Sequence, residues 1–315
     1  MTQEEPRKAA AVIALERGRA KRAAKATESA PRVVDRMTDL GNAERLIGTH
    51  GADLRYVGTW ARWLVWDGCK WATDSTCQVA ARCADVARLL MGEALSALTA
   101  TCGGKEAESL YRFAKDTQES KRLDGMAKVA RALPGVAIAH GQLDADPWSL
   151  NVANGILDLR TGALRPHDRA ALMTKLAPVA FDPGAACPTW DAFLLRAMGG
   201  DVELVAYLRR MIGYTLTGLV REHVLGFFFG GGQNGKSTFL LVMHALFGDY
   251  GARAPRGLLF RNQGSQHETG LTTLFGARFV SCAEIDEKDA FDEALVKDLT
   301  GGDLGAPHAR GPLDV

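Results

Sequence analysis

The sequence predicts an α/β fold in two parts, a mixed α+β N-terminal module followed by an incomplete parallel-sheet domain. Three observations carry this. Tryptophan-rich hairpin patterning and helical periodicity fill the first half. A continuous apolar run at 224–229 (V-L-G-F-F-F) has the character of a strand buried on both faces of a parallel sheet. A glycine-rich turn and a helical pattern then follow that run directly.

Taken in order, residues 1–37 read as a basic arm. Up to residue 34 it holds eight Lys/Arg against four Glu, with one short apolar cluster at Val12, Ile13 and Leu15. A solvated, partly helical tail is preferred over an arm that touches DNA phosphates. Folded sequence begins near Asp39. Residues 60–71 alternate bulky side chains around an Asp67-Gly68 turn, which predicts a β-hairpin. Its tryptophans, Trp60, Trp63, Trp66 and Trp71, suit the closure of a small core better than a stacking platform for DNA bases. Residues 78–131 have helical periodicity. The stretch 151–162 (N-V-A-N-G-I-L-D-L-R-T-G) predicts strand, Asn-Gly turn, strand and a second turn.

Pro178, Pro183 and Pro188 mark a connector and hence a domain boundary, placed at 188/189. A short helix follows from Trp190 to Met198. Val202, Val205, Leu208 and Ile212 then form one apolar helical face, capped by Asp201.

The chemistry concentrates in Gly230, Gly231, Gly232, Gln233, Asn234, Gly235, Lys236, Ser237 and Thr238, which match the phosphate-binding pattern G-x-x-x-x-G-K-[ST]. Glycines let backbone N–H groups turn inward around phosphates, and the helix N-terminus adds its positive dipole end. In this pattern Lys236 reaches the β- and γ-phosphates and the Ser237 hydroxyl ligates Mg²⁺, so ATP and Mg²⁺ are the expected cofactors. The helix behind it is 239–247 (F-L-L-V-M-H-A-L-F), closed by Gly248. Hydrolysis further needs an acid on a neighbouring strand to hold the metal and orient water. Residues 278–287 supply a short apolar strand ending in acids, with Glu284 at its tip as the expected Walker-B and Mg²⁺ residue and Asp286 as second candidate.

Composition excludes several classes. A chain of 315 residues with 47% hydrophobic and 24% charged content is an ordinary globular sequence of about two domains. It has no apolar run near the ~20 residues of a membrane span and no signal-peptide pattern. The six cysteines (69, 77, 83, 102, 187 and 282) lack metal-ligand spacing and read as free thiols of a reducing cytoplasm. With a net charge of +1, any DNA contact must come from local basic patches. Asp144-Ala145-Asp146 looks like a metal-binding D-x-D but reads as a loop before Pro147. His140, His167, His223 and His267 stand at no ligand spacing.

Six stretches together resemble one family: T-D-L-G-N-A-E-R-L (38–46), W-L-V-W-D-G-C-K-W (63–71), D-A-D-P-W-S-L-N-V-A-N-G-I-L-D-L-R-T-G (144–162), I-G-Y-T-L-T-G (212–218), G-G-Q-N-G-K-S-T-F-L (231–240) and E-A-L-V-K-D-L-T-G-G-D (293–303). They are similar to phage and plasmid primase–helicases of the satellite-phage type. In that family a poxvirus-primase-like N-terminal module precedes a superfamily 3 helicase domain of AAA+ type. The resemblance implies a module at 38–188, a partial P-loop ATPase core at 189–303 and an unrelated tail at 304–315. It implies an ATP-driven ring, commonly a hexamer, acting on single-stranded or forked DNA, with priming supplied separately. Lys236 and Ser237 match its P-loop, Glu284 its Walker-B acid, and Lys297 with Gly301, Gly302 and Asp303 the motif leading to a DNA-contacting loop.

Two elements of the family pattern are missing. No priming domain precedes residue 38, and the chain ends before the polar sensor strand, the arginine finger and the winged-helix-like region. The expectation is a truncated form in which the P-loop strand lacks its central neighbours and exposes apolar surface and backbone edges. Without a finger, which contributes about 10³–10⁵ in rate, little hydrolysis is expected. A non-catalytic nucleotide-binding or ring-capping module is the second reading. A small-molecule P-loop kinase is the third, and it leaves 144–162 and 293–303 unexplained.

Overall fold

The structure is a computed structural model that describes residues 37–100, 103–255, 258–260, 274–282 and 290–301. The chain divides into two compact units. One takes residues up to Ala52 and Cys77–Val136, and the other takes Asp53–Thr76 with everything from Ala137 onward.

The first unit is helical: α1 (Asp39–His50), α2 (Gln78–Ala100), α3 (Lys105–Thr117) and α4 (Ser120–Ala130). Thr38 starts α1 by accepting the Gly41 amide on its hydroxyl at 3.0 Å, as a capping residue should. Leu90, Ala94, Leu110 and Ala114 are buried together where α2 meets α3, and α1 packs on α4. Buried Asn42 is satisfied by donating to Thr117 Oγ1 at 3.2 Å.

Among the described residues the second unit contains three small sheets. The first has the order β3-β2-β1-β4, from β1 (Leu54–Val57), β2 (Arg62–Trp66), β3 (Trp71–Thr73) and β4 (Ala137–Ile138); only the β1/β4 pairing is parallel. The expected tryptophan hairpin is β2–β3. Its turn is closed by Asp67 Oδ1, which accepts the amides of Cys69 and Lys70, both at 2.8 Å. Trp71 is buried with Val57, Leu64 and Leu143, and Trp60 and Trp66 pack against them half-buried.

The second sheet is an antiparallel meander of β5 (Ser149–Val152), β6 (Gly155–Asp158) and β7 (Leu164–Arg165), with the expected turn at Asn154-Gly155. Gly155 is required there, because a Cβ would lie 2.3 Å from the Arg165 carbonyl oxygen. Asn151 is fully buried in β5. Its Nδ2 donates to the Cys69 and Lys175 carbonyls at 3.0 Å each, and its Oδ1 meets His167 Nδ1 at 2.9 Å.

Beyond the meander come α5 (Pro188–Ala197), α6 (Val202–Thr215), α7 (Lys236–Phe247), the parallel pair β8 (Gly251–Arg253) and β9 (Phe279–Ser281), and α8 (Glu293–Gly301). Asp201 caps α6 as expected, accepting the Leu204 amide at 2.9 Å. Leu150, Val152, Leu157, Leu194, Val205, Phe239, Met243 and Phe247 share one core, so meander and helices are packed as a single body.

The expected strand at 224–229 is corrected by the structure. None of these residues joins a ladder among the described residues, and Val224, Phe227 and Phe229 are 57%, 58% and 92% exposed. Apolar composition alone does not make a strand; a backbone partner does, and the parallel pairing goes to β8 and β9 instead. The fold is therefore mixed α/β with small sheets.

Candidate functional site

The glycine loop is set by the elements on either side of it. Gly235 is the N-cap of α7 with left-handed φ 86° and ψ 0°. A Cβ there would stand 2.9 Å from Phe193 Cε2, so only glycine lets α5 come so close. Phe193 stacks on Trp190 with centroids 5.2 Å apart, and Trp190 stacks on Phe239 at 5.9 Å. Phe228 adds a ring 5.1 Å from Phe239. Phe239, Met243 and Phe247 bury one face of α7, which fixes the helix and hence the direction of its N-terminus.

At the loop mouth, Lys236 Nζ donates to Asn234 Oδ1 at 2.8 Å and to the Gly230 carbonyl at 3.0 Å. Asn234, Gly235 and Lys236 are half-buried, while Gly230, Gly231, Gly232, Gln233, Ser237 and Thr238 are exposed. Nothing lies within 4 Å of a Cβ built on Gly231 or Gly232, so the loop has open space over it. The first-turn amides of Lys236, Ser237 and Thr238 have no intrahelical acceptor, and Gly235 provides no side-chain cap. An anion placed there meets free amides, the positive dipole end and an ammonium group.

The expected second strand is present as β9, beside α7. His244 Nε2 of α7 lies 2.7 Å from Ser281 Oγ, and the Phe279 ring contacts His244 and Phe247 with centroids 5.0 and 5.1 Å away. Glu284 and Asp286, beyond its C-terminal end, lie outside the described residues, as do Gly302, Asp303, His267 and Cys102. Lys297 is exposed on α8, which Gly301 ends.

Asp144 and Asp146 serve the loop. Asp144 accepts from the Thr174 amide at 2.9 Å and from the Thr174 hydroxyl. Asp146 accepts from Ser149 Oγ at 2.7 Å and the Trp148 amide at 3.1 Å, and these bonds hold its carboxyl below the usual carboxylate range. Among the described residues no group of three His, Cys, Asp or Glu is arranged around a metal position. Cys69, Cys77, Cys83, Cys187 and Cys282 are free thiols, and burial pushes Cys83 up to about 11.

Sequence reasoning missed two features. The first is the Trp190–Phe193 platform, signalled only by an i,i+3 aromatic spacing on α5. The second is Arg278, the residue before β9. Its guanidinium donates to the carbonyls of Leu216 (2.7 Å), Ser149 (2.9 Å), Pro147 (3.2 Å) and Asp146 (3.4 Å) and lies over the Tyr250 ring at 4.7 Å. Burial lowers its pKa, against the attraction of Tyr250, Asp144 and Asp146.

Residues 43–199 match the family model described as D5 N terminal like. This supports the phage and viral primase–helicase family and a protein related to phage DNA replication. The D5 N-terminal-like stretch ends at residue 199, so it takes in α5 but not the glycine loop. No curated protein matches the chain. Among the described residues no helix is long and apolar enough to cross a membrane.

Proposed function

We propose that this protein is an ATP-dependent DNA helicase of phage or plasmid replication, of the satellite-phage, superfamily 3 type. The observation that carries the proposal is the Lys236 ammonium at the mouth of a glycine loop opening a helix, downstream of the D5 N-terminal-like domain. ATP is the proposed cofactor: residues 230–238 would hold its phosphates, and Ser237 and Glu284 would hold Mg²⁺. Bound Mg²⁺ would neutralise phosphate charge and polarise the reacting phosphoryl group. The loop amides position the phosphates and Lys236 supplies positive charge. Glu284, with Asp286 as second candidate, would orient water, and Lys297 would touch DNA phosphates without sequence preference.

The domain division at 188/189, assembly as a hexameric ring on single-stranded or forked DNA and a cytoplasmic location belong to the same proposal. The test is binding of a fluorescent ATP analogue by the full chain and by Lys236→Ala. Binding should fall at least tenfold in the variant; equal binding by both proteins would remove the site.

A second reading, a nucleotide-binding module with little turnover of its own, is favoured by one observation. Among the described residues the segment leading into the loop joins no sheet, and it exposes Phe227 and Phe229. ATP hydrolysis and strand separation measured on the same protein decide between the two. Vigorous DNA-stimulated turnover selects the helicase, and binding without turnover selects the module.

A further inference from the structure

The Lys236 side chain is folded back on its own loop. An ammonium has three donors and no acceptor, and two of the three are taken by Asn234 Oδ1 and the Gly230 carbonyl. Asn234 is not a free surface side chain either. It is half-buried, and its Nδ2 lies 2.1 Å from where a Cβ on Gly230 would stand, so the carboxamide nitrogen fills the space that a side chain there would take. Only a residue without Cβ at position 230 allows this, and the arrangement aims the carboxamide oxygen at Lys236. A neutral oxygen thus occupies the ammonium where a phosphate oxygen would bind. The bond is charge-assisted, the stronger class.

We propose that the Asn234 carboxamide is a latch that holds Lys236 away from phosphate in the empty site and so sets how fast nucleotide enters. The inference rests on the nucleotide site proposed above and adds a control to it. Nucleotide binds only the fraction of molecules in which the ammonium is released, so the apparent association rate is the intrinsic rate multiplied by that fraction. Once phosphate holds Lys236 the latch is open, and the dissociation rate no longer depends on residue 234. A side chain that instead gripped bound nucleotide would act on dissociation.

The experiment is stopped-flow mixing of the full chain with a fluorescent ATP analogue and Mg²⁺, comparing wild type, Asn234→Ala, Asn234→Leu and Lys236→Ala. Asn234→Leu keeps the bulk and removes the oxygen, and it also stands in should the alanine variant fail to fold. Losing one charge-assisted bond should raise the association rate about three- to tenfold in both Asn234 variants, with dissociation unchanged. The latch is overturned by an unchanged or slower association rate, by faster dissociation, or by an effect of alanine that leucine does not share. Binding by wild type that Lys236→Ala abolishes, with Asn234 variants like wild type, sinks the latch and leaves the site standing. Absence of binding by wild type removes both.

Discussion

Arg278→Ala should be among the most destabilising substitutions in the second unit, although the residue is only half-buried. Its guanidinium ties three parts of the chain together: the end of α6 at Leu216, the 146–149 turn before β5, and β9, which it immediately precedes. The two short bonds, at 2.7 and 2.9 Å, carry most of the energy. At about 1.5–3 kcal/mol for each charge-assisted bond and about 1 kcal/mol for the cation–π contact, less what water recovers at the freed carbonyls, the loss is about 3 kcal/mol. Arg278→Lys keeps the charge but not the planar fork and should recover less than half. Urea unfolding followed by tryptophan fluorescence is a selective assay, because all six tryptophans lie in the second unit. A loss below about 0.5 kcal/mol in Arg278→Ala would refute the claim that this side chain clamps the unit, since surface substitutions fall within that range.

Two further predictions use the same assay. Gly248 ends α7 with φ 53° and ψ −122°, and a Cβ there would lie 2.3 Å from Pro178 Cδ and 2.7 Å from the Leu176 carbonyl oxygen. Gly248→Ala should therefore cost about 3 kcal/mol, whereas Gly58→Ala, with nothing within 4 Å, should cost little. Burial first, and Arg253 second, lower the His244 pKa, so the folded unit favours the neutral ring. Between that lowered value and the unfolded value of about 6.5, the unfolded chain binds more protons, so stability falls as pH drops below about 6.5. His244→Gln should flatten this part of the profile, and an unchanged profile would show that the His244 imidazole does not set it.

The elements legible in the sequence were those specified by neighbours in the chain. The helix that buries Val205 and Leu208 with Ile212 half-buried (Val202, expected on the same face, is 69% exposed in its first turn), the Asp67-Gly68 and Asn154-Gly155 turns, and the helix after Gly235 each depend on residues within a few positions. Arg278 was not legible, because its acceptors lie more than sixty residues away and nothing in the run before Phe279 marks its side chain as buried. Asn151 was hidden for the same reason: it read as a strand residue before a turn, yet its partners are Cys69, Lys175 and His167. Strands β1 and β4 were missed because they are short and carry no turn signal: β1 is held by antiparallel pairing of Leu54–Val57 with Arg62–Val65, and β4 by the parallel pairing of Ala137 with Tyr56.

The run 224–229 shows where local signals fail in the opposite direction. Its composition matched a buried parallel strand, yet only Phe228 turns to the α7 core while Phe227 contacts Phe291 at 5.7 Å. A strand's backbone groups need a ladder as much as its side chains need a core. The loop that follows does not wait for that ladder. Gly235 is seated on Phe193, and α7 is held by Phe239, Met243 and Phe247, none of which belongs to the segment before the loop. The helix N-terminus and Lys236 are thus positioned from the C-terminal side and from α5. For the nucleotide site proposed above, this anchoring would separate phosphate binding from turnover: the groups that would hold phosphate are braced, whereas the apolar run entering the loop joins no sheet among the described residues. Binding should accordingly survive substitutions at exposed Phe229 that leave α7 intact, and should be lost at Lys236.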